Sequence, residues 1–381
     1  MLRSLSALII LSLALLPSLL QAAPPRPIPE PPDLPVKSYI LMDYESGKVL
    51  AEKNADMRVE PASITKLMTA YLVDKALTDG DIRLDDQVTI SEKAWKMKGS
   101  KMFVEVGDKV SVEDLIKGMI IQSGNDATVA LAEYVAGSEE AFVGYMNHQA
   151  RQLGMNNTQF RNSTGWPDKE HYSTARDIAT LSRAVIRDYP LNYKYYKVKE
   201  FTWNNIRQFN RNRLLWKDPS VDGLKTGHTD AAGYCLAASA ERDGMRLISV
   251  VLGAKSDKAR TIHSQALLNY GFRFFEAPKL YEAGQALKTV RVWFGDRDRL
   301  ALGVEEQVSV LIPKGRYKDL QAAIEINADI EAPIARGQEL GKLSVRLDDE
   351  TLVTRPLVAL QEVKDGGLVK KATDSVKKLF E

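Results

Sequence analysis

The sequence predicts an α+β fold: an antiparallel sheet with packed helices, followed by a small all-β domain. Three observations lead there. Strand-like runs flank a turn near residue 45, helical periodicity fills the middle, and strand-like runs return near residue 233. After Pro278 the pattern changes to short apolar runs separated by Gly, Pro, Asp and Asn. The length of 381 residues suits two domains, at about 100–200 residues each.

Residues 1–23 read as a secretory signal. Arg3 and the terminal amine supply a positive end, Leu8 to Leu16 form an apolar run ending at Pro17, and Gln21-Ala22-Ala23 offer small residues for cleavage. The alternative is a spanning anchor, which needs about 20 apolar residues. Pro17, Ser18 and Gln21 interrupt this stretch. Seven prolines between Ala22 and Pro35 then predict an extended, mobile linker over residues 24–36.

Residues 37–276 form the first predicted domain. Tyr39 to Asp43 and Lys48 to Glu52 flank Tyr44-Glu45-Ser46-Gly47 as a β-hairpin, and Ser63 to Lys75 turns helical with Leu67, Ala70 and Tyr71 facing the core. Val112 to Ile121 and Asp126 to Val135 predict two helices broken at Ser123-Gly124-Asn125. Ser173 to Ile186 is a further helix, with Thr174 and Asp177 spaced as a capping box. Gly233 to Ala240 and Leu247 to Ala254 surround Arg242-Asp243-Gly244, a second hairpin signal, and a helix follows from Asp257 to Phe275. Residues 277–363 form the predicted all-β domain, with runs at Val290–Phe294, Val308–Ile312, Ala323–Ile326 and Lys342–Leu347.

Residues 364–381 close the chain as a basic amphipathic helix. Leu368, Val369, Ala372, Val376, Leu379 and Phe380 share one face, flanked by Lys370, Lys371, Lys377 and Lys378. Such a helix suits an anionic membrane surface, contacted through residues 366–381, better than a span. The alternative is a helix docked on its own β domain.

A net charge of +2 gives no reason to expect a nucleic-acid partner. Cys235 is the one cysteine, so no internal disulfide forms, and its apolar surroundings predict a small core residue. The four histidines (His148, His171, His228 and His263) are scattered without metal-ligand spacing, so neither a metal nor another cofactor is expected.

The chemistry rests on three short motifs in order: Ser63-Ile64-Thr65-Lys66, Ser123-Gly124-Asn125 and Lys225-Thr226-Gly227. An S-x-x-K arises by chance roughly once in a chain this long, and Ser375 to Lys378 is another. Each motif alone is weak; the ordered set, each at an element boundary, is strong. A serine hydroxyl is a poor nucleophile until a base takes its proton. Residues three apart at a helix start share a face, so Lys66 lies beside Ser63. Lysine acts as a base only when largely neutral, and burial with a neighbouring cation, for which Lys225 is the candidate, lowers its pKa. The alternatives are an ordinary N-cap at Ser63 and a solvated lysine at Lys66. At a helix break, the Ser123 hydroxyl can relay a proton and the Asn125 amide can hold a substrate carbonyl or Lys66; a capped loop is the plainer alternative. Gly227 permits another backbone to approach, so a peptide can lie along this strand; a simple edge strand is the alternative.

These motifs resemble the serine DD-peptidase and β-lactamase superfamily. Pro61 to Thr69, Gln122 to Ala127, Val221 to Thr229, Asn210-Arg211-Asn212, and Leu214-Leu215 before Trp216 look like the D-alanyl-D-alanine carboxypeptidases among the low-molecular-mass penicillin-binding proteins. The resemblance implies Ser63 as acyl-enzyme nucleophile, Lys66 as its base and Ser123 as proton relay. It implies Asn125 as a contact to the substrate backbone, and Arg211, Lys225 and Thr226 facing the terminal D-alanine carboxylate beside Gly227. The backbone N–H groups of Ser63 and His228 would form an oxyanion hole, with the His228 imidazole a bystander. Implied partners are a peptidoglycan stem peptide as substrate and β-lactams as covalent inhibitors. The middle motif is Ser-Gly-Asn, and no E-x-x-L-N lies between Asn125 and Lys225, which favours a peptidase over a β-lactamase. The motifs alone do not separate DD-carboxypeptidase from DD-endopeptidase. The implied location is periplasmic, on the outer face of the inner membrane.

Overall fold

The computed structural model describes residues 27–327 and 329–379. The signal expected at 1–23, the first residues of the 24–36 segment, and Phe380 and Glu381 of the tail lie outside them.

Five strands build the first sheet: β1 (Ser38–Asp43), β2 (Val49–Lys53), β3 (Val221–Thr229), β4 (Gly233–Arg242) and β5 (Met245–Ala254). They run in the order β2-β1-β5-β4-β3, antiparallel throughout. Both hairpins foreseen in the sequence are present. At the β4–β5 turn Asp243 and Gly244 have φ of 50° and 78°, the paired positive values that a two-residue hairpin of the favoured twist requires.

Successive side chains of these strands alternate between two cores. Ile40, Ala237, Ile248 and Val250 face one, while Leu41, Leu236, Leu247 and Val251 face the other. Three helices cover the first face: α1 (Lys66–Asp79), α2 (Asn125–Ala136) and α3 (Ala175–Asp188). α3 lies directly on the sheet, and α1 packs against α3 and α2. Thr174 caps α3 by accepting the N–H of Asp177 at 3.1 Å, as the capping signal predicts. α4 (Asp257–Phe274) covers the second face, capped by Ser256. Cys235 is fully buried in the sheet, and burial pushes its thiol up to about 11, which makes it inert.

The proline-rich segment corrects the expectation of a mobile linker over its described part. Leu34 is buried in the second core, and Tyr270 Oη donates to the Pro29 carbonyl at 3.0 Å. Prolines keep the segment extended, but Leu34 gives it an anchor that no periodicity announces.

The C-terminal β-rich part contains a sheet of β6 (Ala286–Arg291), β7 (Arg299–Gly303), β8 (Leu320–Ile326), β9 (Glu339–Leu347) and β10 (Glu350–Ala359). Their order is β6-β7-β10-β9-β8, again antiparallel. It joins the first domain where Phe275–Glu276 pairs with Ile312–Pro313, with Leu311 buried in the first domain's second core.

The tail helix is α5 (Gly367–Lys378). It docks on the β sheet domain, but through its polar face. Asp374 is fully buried and accepts the N–H of Phe294 at 2.8 Å. Leu368 and Leu379 point outward at 87% and 82% exposure, with Val369 and Val376 also exposed. Three of the four lysines expected to flank the apolar stripe freely are instead paired: Lys370 with Asp298 and Asp374, Lys371 with Asp365, and Lys378 with Asp329 and Glu331. Among the described residues no helix is long and apolar enough to cross a membrane.

Candidate active site

The three motifs converge on one cleft of about 1440 Å³, whose lining includes Ser63, Ser123, Asn125, Arg211, Thr226, Gly227 and His228. Ser63 sits in a 3-10 turn, Ala62–Thr65, that runs straight into α1. Residues three apart eclipse in such a turn, which brings Lys66 alongside Ser63. Ser63 makes no side-chain cap, so the alternative of an ordinary N-cap fails. Gly227 of β3 makes this arrangement possible. A Cβ there would come within 2.9 Å of the Pro61 carbonyl and 3.2 Å of both Ala62 and Ile64. The backbone that Gly227 admits is therefore the protein's own.

Lys66 is almost completely buried and has three oxygen neighbours: Ser63 Oγ at 3.2 Å, Asn125 Oδ1 at 2.7 Å and the Thr164 carbonyl at 2.7 Å. Burial, followed by the nearby Arg211 guanidinium, brings its pKa down to about 7, while Asp126 pulls the other way. The solvated-lysine alternative is thus excluded. Sequence reasoning named Lys225 as the neighbouring group that lowers Lys66 and did not assign Arg211 that part. Lys225 is itself fully buried and held well below its ordinary value by burial and then by Lys66. A neutral amine at Lys66 gives its two N–H groups to Asn125 and Thr164, which leaves its lone pair for the Ser63 hydroxyl.

Ser123 lies after a π turn, Gly118–Gln122, with φ of 66°. Such a turn marks functional sites often, and here it tips the hydroxyl out of the helix line toward β3. Lys225 Nζ donates to Ser123 Oγ at 2.9 Å and to the Thr226 carbonyl at 3.0 Å. Asn125 opens α2; its amide accepts from Lys66 and donates to the Lys98 carbonyl at 2.6 Å. Of the two tasks foreseen for Asn125, holding Lys66 is the one seen. Thr226 is buried in β3, while Arg211 is exposed on the cleft lining. His228 is exposed, its ring tilted against Tyr234 with centroids 4.0 Å apart, a packing role for the imidazole.

Sequence reasoning missed the 161–172 loop. Asn162 Oδ1 accepts the N–H groups of Thr164, Gly165 and Trp166 at 3.2, 2.8 and 3.0 Å, which folds the loop so that the Thr164 carbonyl meets Lys66. Gly165 has φ of 80°, and a Cβ there would overlap the Ala62 carbonyl. Gly165→Ala is therefore expected to displace Ser63 and cost about 2 kcal/mol or more, readable as a lowered Tm with slower penicillin labelling. His171 ties the loop to the motif. Its Nδ1 accepts the Arg161 N–H at 3.2 Å, so its Nε2–H donates to Thr65 Oγ1 at 2.9 Å. Burial lowers its pKa to about 4, which keeps it neutral near pH 7. Nothing local marks His171 or Thr164; their partners lie about a hundred residues away in the chain.

The family pattern described as D-alanyl-D-alanine carboxypeptidase matches residues 26–256, and that of the penicillin-binding protein 5 C-terminal domain matches residues 275–365. The chain is 48% identical to D-alanyl-D-alanine carboxypeptidase DacA of Escherichia coli (strain K12) over 361 residues, covering 93% of this chain and 90% of that one. It is 40% identical to DacF of Bacillus subtilis (strain 168), with 87% of each covered. The structure of penicillin binding protein 5 from Haemophilus influenzae superposes with a TM-score of 0.78 at 44% identity, covering 88% of this chain and 99% of that one. Two matched patterns in the same order, and identity sustained across both, leave one placement: this chain belongs to the D-alanyl-D-alanine carboxypeptidase family.

Proposed function

We propose that the chain is a serine-type D-Ala-D-Ala carboxypeptidase that removes the terminal D-alanine from peptidoglycan stem pentapeptides. The observation that carries this is Lys66, brought to about 7 and held 3.2 Å from the Ser63 hydroxyl at the floor of the cleft. In this reading Ser63 Oγ attacks the carbonyl of the penultimate D-alanine while its proton passes to Lys66. The N–H groups of Ser63 and His228 receive the developing oxyanion. Asn125 adds a contact to the peptide backbone once substrate enters. Arg211, Lys225 and Thr226 present positive charge and a hydroxyl to the substrate carboxylate, with Gly227 keeping that strand close to the turn that bears Ser63. When the C–N bond breaks, the proton reaches the leaving amine through Ser123, which Lys225 orients at 2.9 Å. Water then attacks the ester carbonyl; as the bond to Ser63 Oγ breaks, a proton from that water restores the hydroxyl and the shortened peptide leaves as its carboxylate. β-Lactams, which mimic the D-Ala-D-Ala terminus, acylate the same oxygen. The test is incubation with a pentapeptide and with a cross-linked dimer. Release of one D-alanine from the pentapeptide, with the dimer intact, is expected; cleavage of the dimer alone would make the protein an endopeptidase.

The tail completes the reading: an exported protein peripheral to the outer face of the inner membrane. Its apolar stripe faces outward while most of its lysines serve the β domain, so insertion of Leu368, Val369, Val376 and Leu379 dominates over charge attraction. Leu368→Asp with Leu379→Asp is expected to release the protein from anionic vesicles and leave hydrolysis of small soluble peptides unchanged. Undiminished vesicle binding in a sedimentation assay would refute the anchor.

A further inference from the structure

We propose that Asp126 is a positioning residue of this cleft: its carboxylate fixes the wall loop 98–104 against the Ser123-Gly124-Asn125 bend and keeps a negative charge beside Lys66. The proposal rests on the reading of Ser63 and Lys66 given above.

Asp126 is fully buried in the first turn of α2. Its carboxylate accepts the N–H groups of Met102 and Phe103, each at 2.8 Å, of Val104 at 3.4 Å, and of Ala127 at 2.9 Å. A buried carboxylate is costly unless such donors satisfy it, and here three successive N–H groups of one loop converge on it. The same loop is held by Asn125, whose Nδ2 donates to the Lys98 carbonyl at 2.6 Å and whose N–H donates to the Ser100 carbonyl at 2.7 Å. Gln208 Nε2, from the strand Ile206–Phe209, donates to the Met102 carbonyl at 2.9 Å. The fit is close: a Cβ on Gly124 would lie 2.8 Å from Asp126 Oδ1 and 2.9 Å from the Met102 nitrogen.

What this clamp maintains is unusual backbone. Phe103 has φ of 72°, in the left-handed region that a bulky residue occupies only where its surroundings impose it. Gly99, Ser100 and Phe103 thereby form part of the cleft lining. Asp126 thus ties the wall that meets substrate to the motif that holds Lys66.

The charge matters separately. Around Lys66 stand Arg211 as a cation, Lys225 as a second buried amine, His171 as a buried neutral imidazole, and Asp126 as the carboxylate. Arg211 favours the neutral amine and Asp126 the ammonium. Loss of the carboxylate leaves Arg211 unopposed, so Lys66 loses its proton at still lower pH.

The experiment compares full-length wild type with Asp126→Asn, which keeps shape and one acceptor oxygen but loses the charge. Penicillin acylation rates are followed as a function of pH. Two changes are expected together: a plateau rate lower by on the order of 10–100-fold, from the loosened wall, and an acid limb moved to lower pH. A lower plateau with an unmoved limb would reduce Asp126 to a fold-stabilising residue and overturn the proposal. Rates and limb equal to wild type would overturn it too. If the variant does not fold, hydrogen exchange on wild type decides: the Met102 and Phe103 amides should be strongly protected, and free exchange at both would overturn the clamp. Failure of wild type itself to be acylated would instead bring down the underlying reading of Ser63, a result separable from any behaviour of the variant.

Discussion

Ser63→Ala is expected to abolish both D-alanine release and covalent labelling by penicillin, with a loss on the order of 10⁴–10⁶-fold in turnover. The hydroxyl is the atom that Lys66 faces at 3.2 Å, and among the motif serines it alone has that neighbour. Its removal leaves no oxygen to form the ester. Because Ser63 caps no helix, the variant should unfold within a few degrees of wild type, and circular dichroism with a thermal melt checks this. The second S-x-x-K provides the control. Ser375 donates to the Lys371 carbonyl on the tail helix, far in sequence from the cleft, and Ser375→Ala should leave both assays unchanged. Labelling that persists in Ser63→Ala would refute the assignment.

The second large effect belongs to Lys66. Its pKa of about 7 means that the neutral base predominates above neutrality and the ammonium below it. The acylation rate should therefore rise with pH through about 7 and level off, with a slope set by one proton. Lys66→Arg places a permanent cation in the same pocket and removes the base, so the rate should fall by about 10²–10⁴-fold and the acid limb should vanish. A Lys66→Arg variant that retained the wild-type limb would show that another group supplies the base. The limb's position also tests the electrostatic assignment: Arg211→Ala removes the cation that favours the neutral amine, so the limb should move to higher pH.

Much of the fold was legible because its signals are local. The Asp243-Gly244 turn, the alternating runs on either side of it, and Thr174 with Asp177 each report on a few neighbouring residues, and each appears where the sequence places it. The three motifs were legible for the same reason, since each is a contiguous string. What escaped is what reaches across the chain. Thr164 contributes a carbonyl, which no side-chain code records. Asp126 reads as an ordinary first-turn carboxylate, yet its partners are amides 22–24 residues earlier in a loop without periodicity. Arg211 also depresses Lys66, a part that its place outside the three motifs hides. The strands Arg299–Gly303 and Glu350–Ala359 also escaped, as did the hairpin made by Glu200–Trp203 and Ile206–Phe209. Arg299–Gly303 is only five residues long, and Glu350–Ala359 carries Thr354, Arg355 and Pro356 in its middle, so neither shows a clean alternation. In the tail, the amphipathic pattern was plain but its partner was not: Asp374 turns the polar face inward and leaves the apolar stripe outside.

The central claim is a covalent acyl-enzyme on Ser63, and its most direct test is to locate the adduct. Wild-type protein is incubated with penicillin, quenched in acid, digested and mapped by mass spectrometry. One penicilloyl group on the peptide containing Ser63 is predicted, with the peptides containing Ser123 and Ser375 unmodified; an adduct on Ser123 with Ser63 untouched, or no covalent adduct in protein that still releases D-alanine, would contradict it.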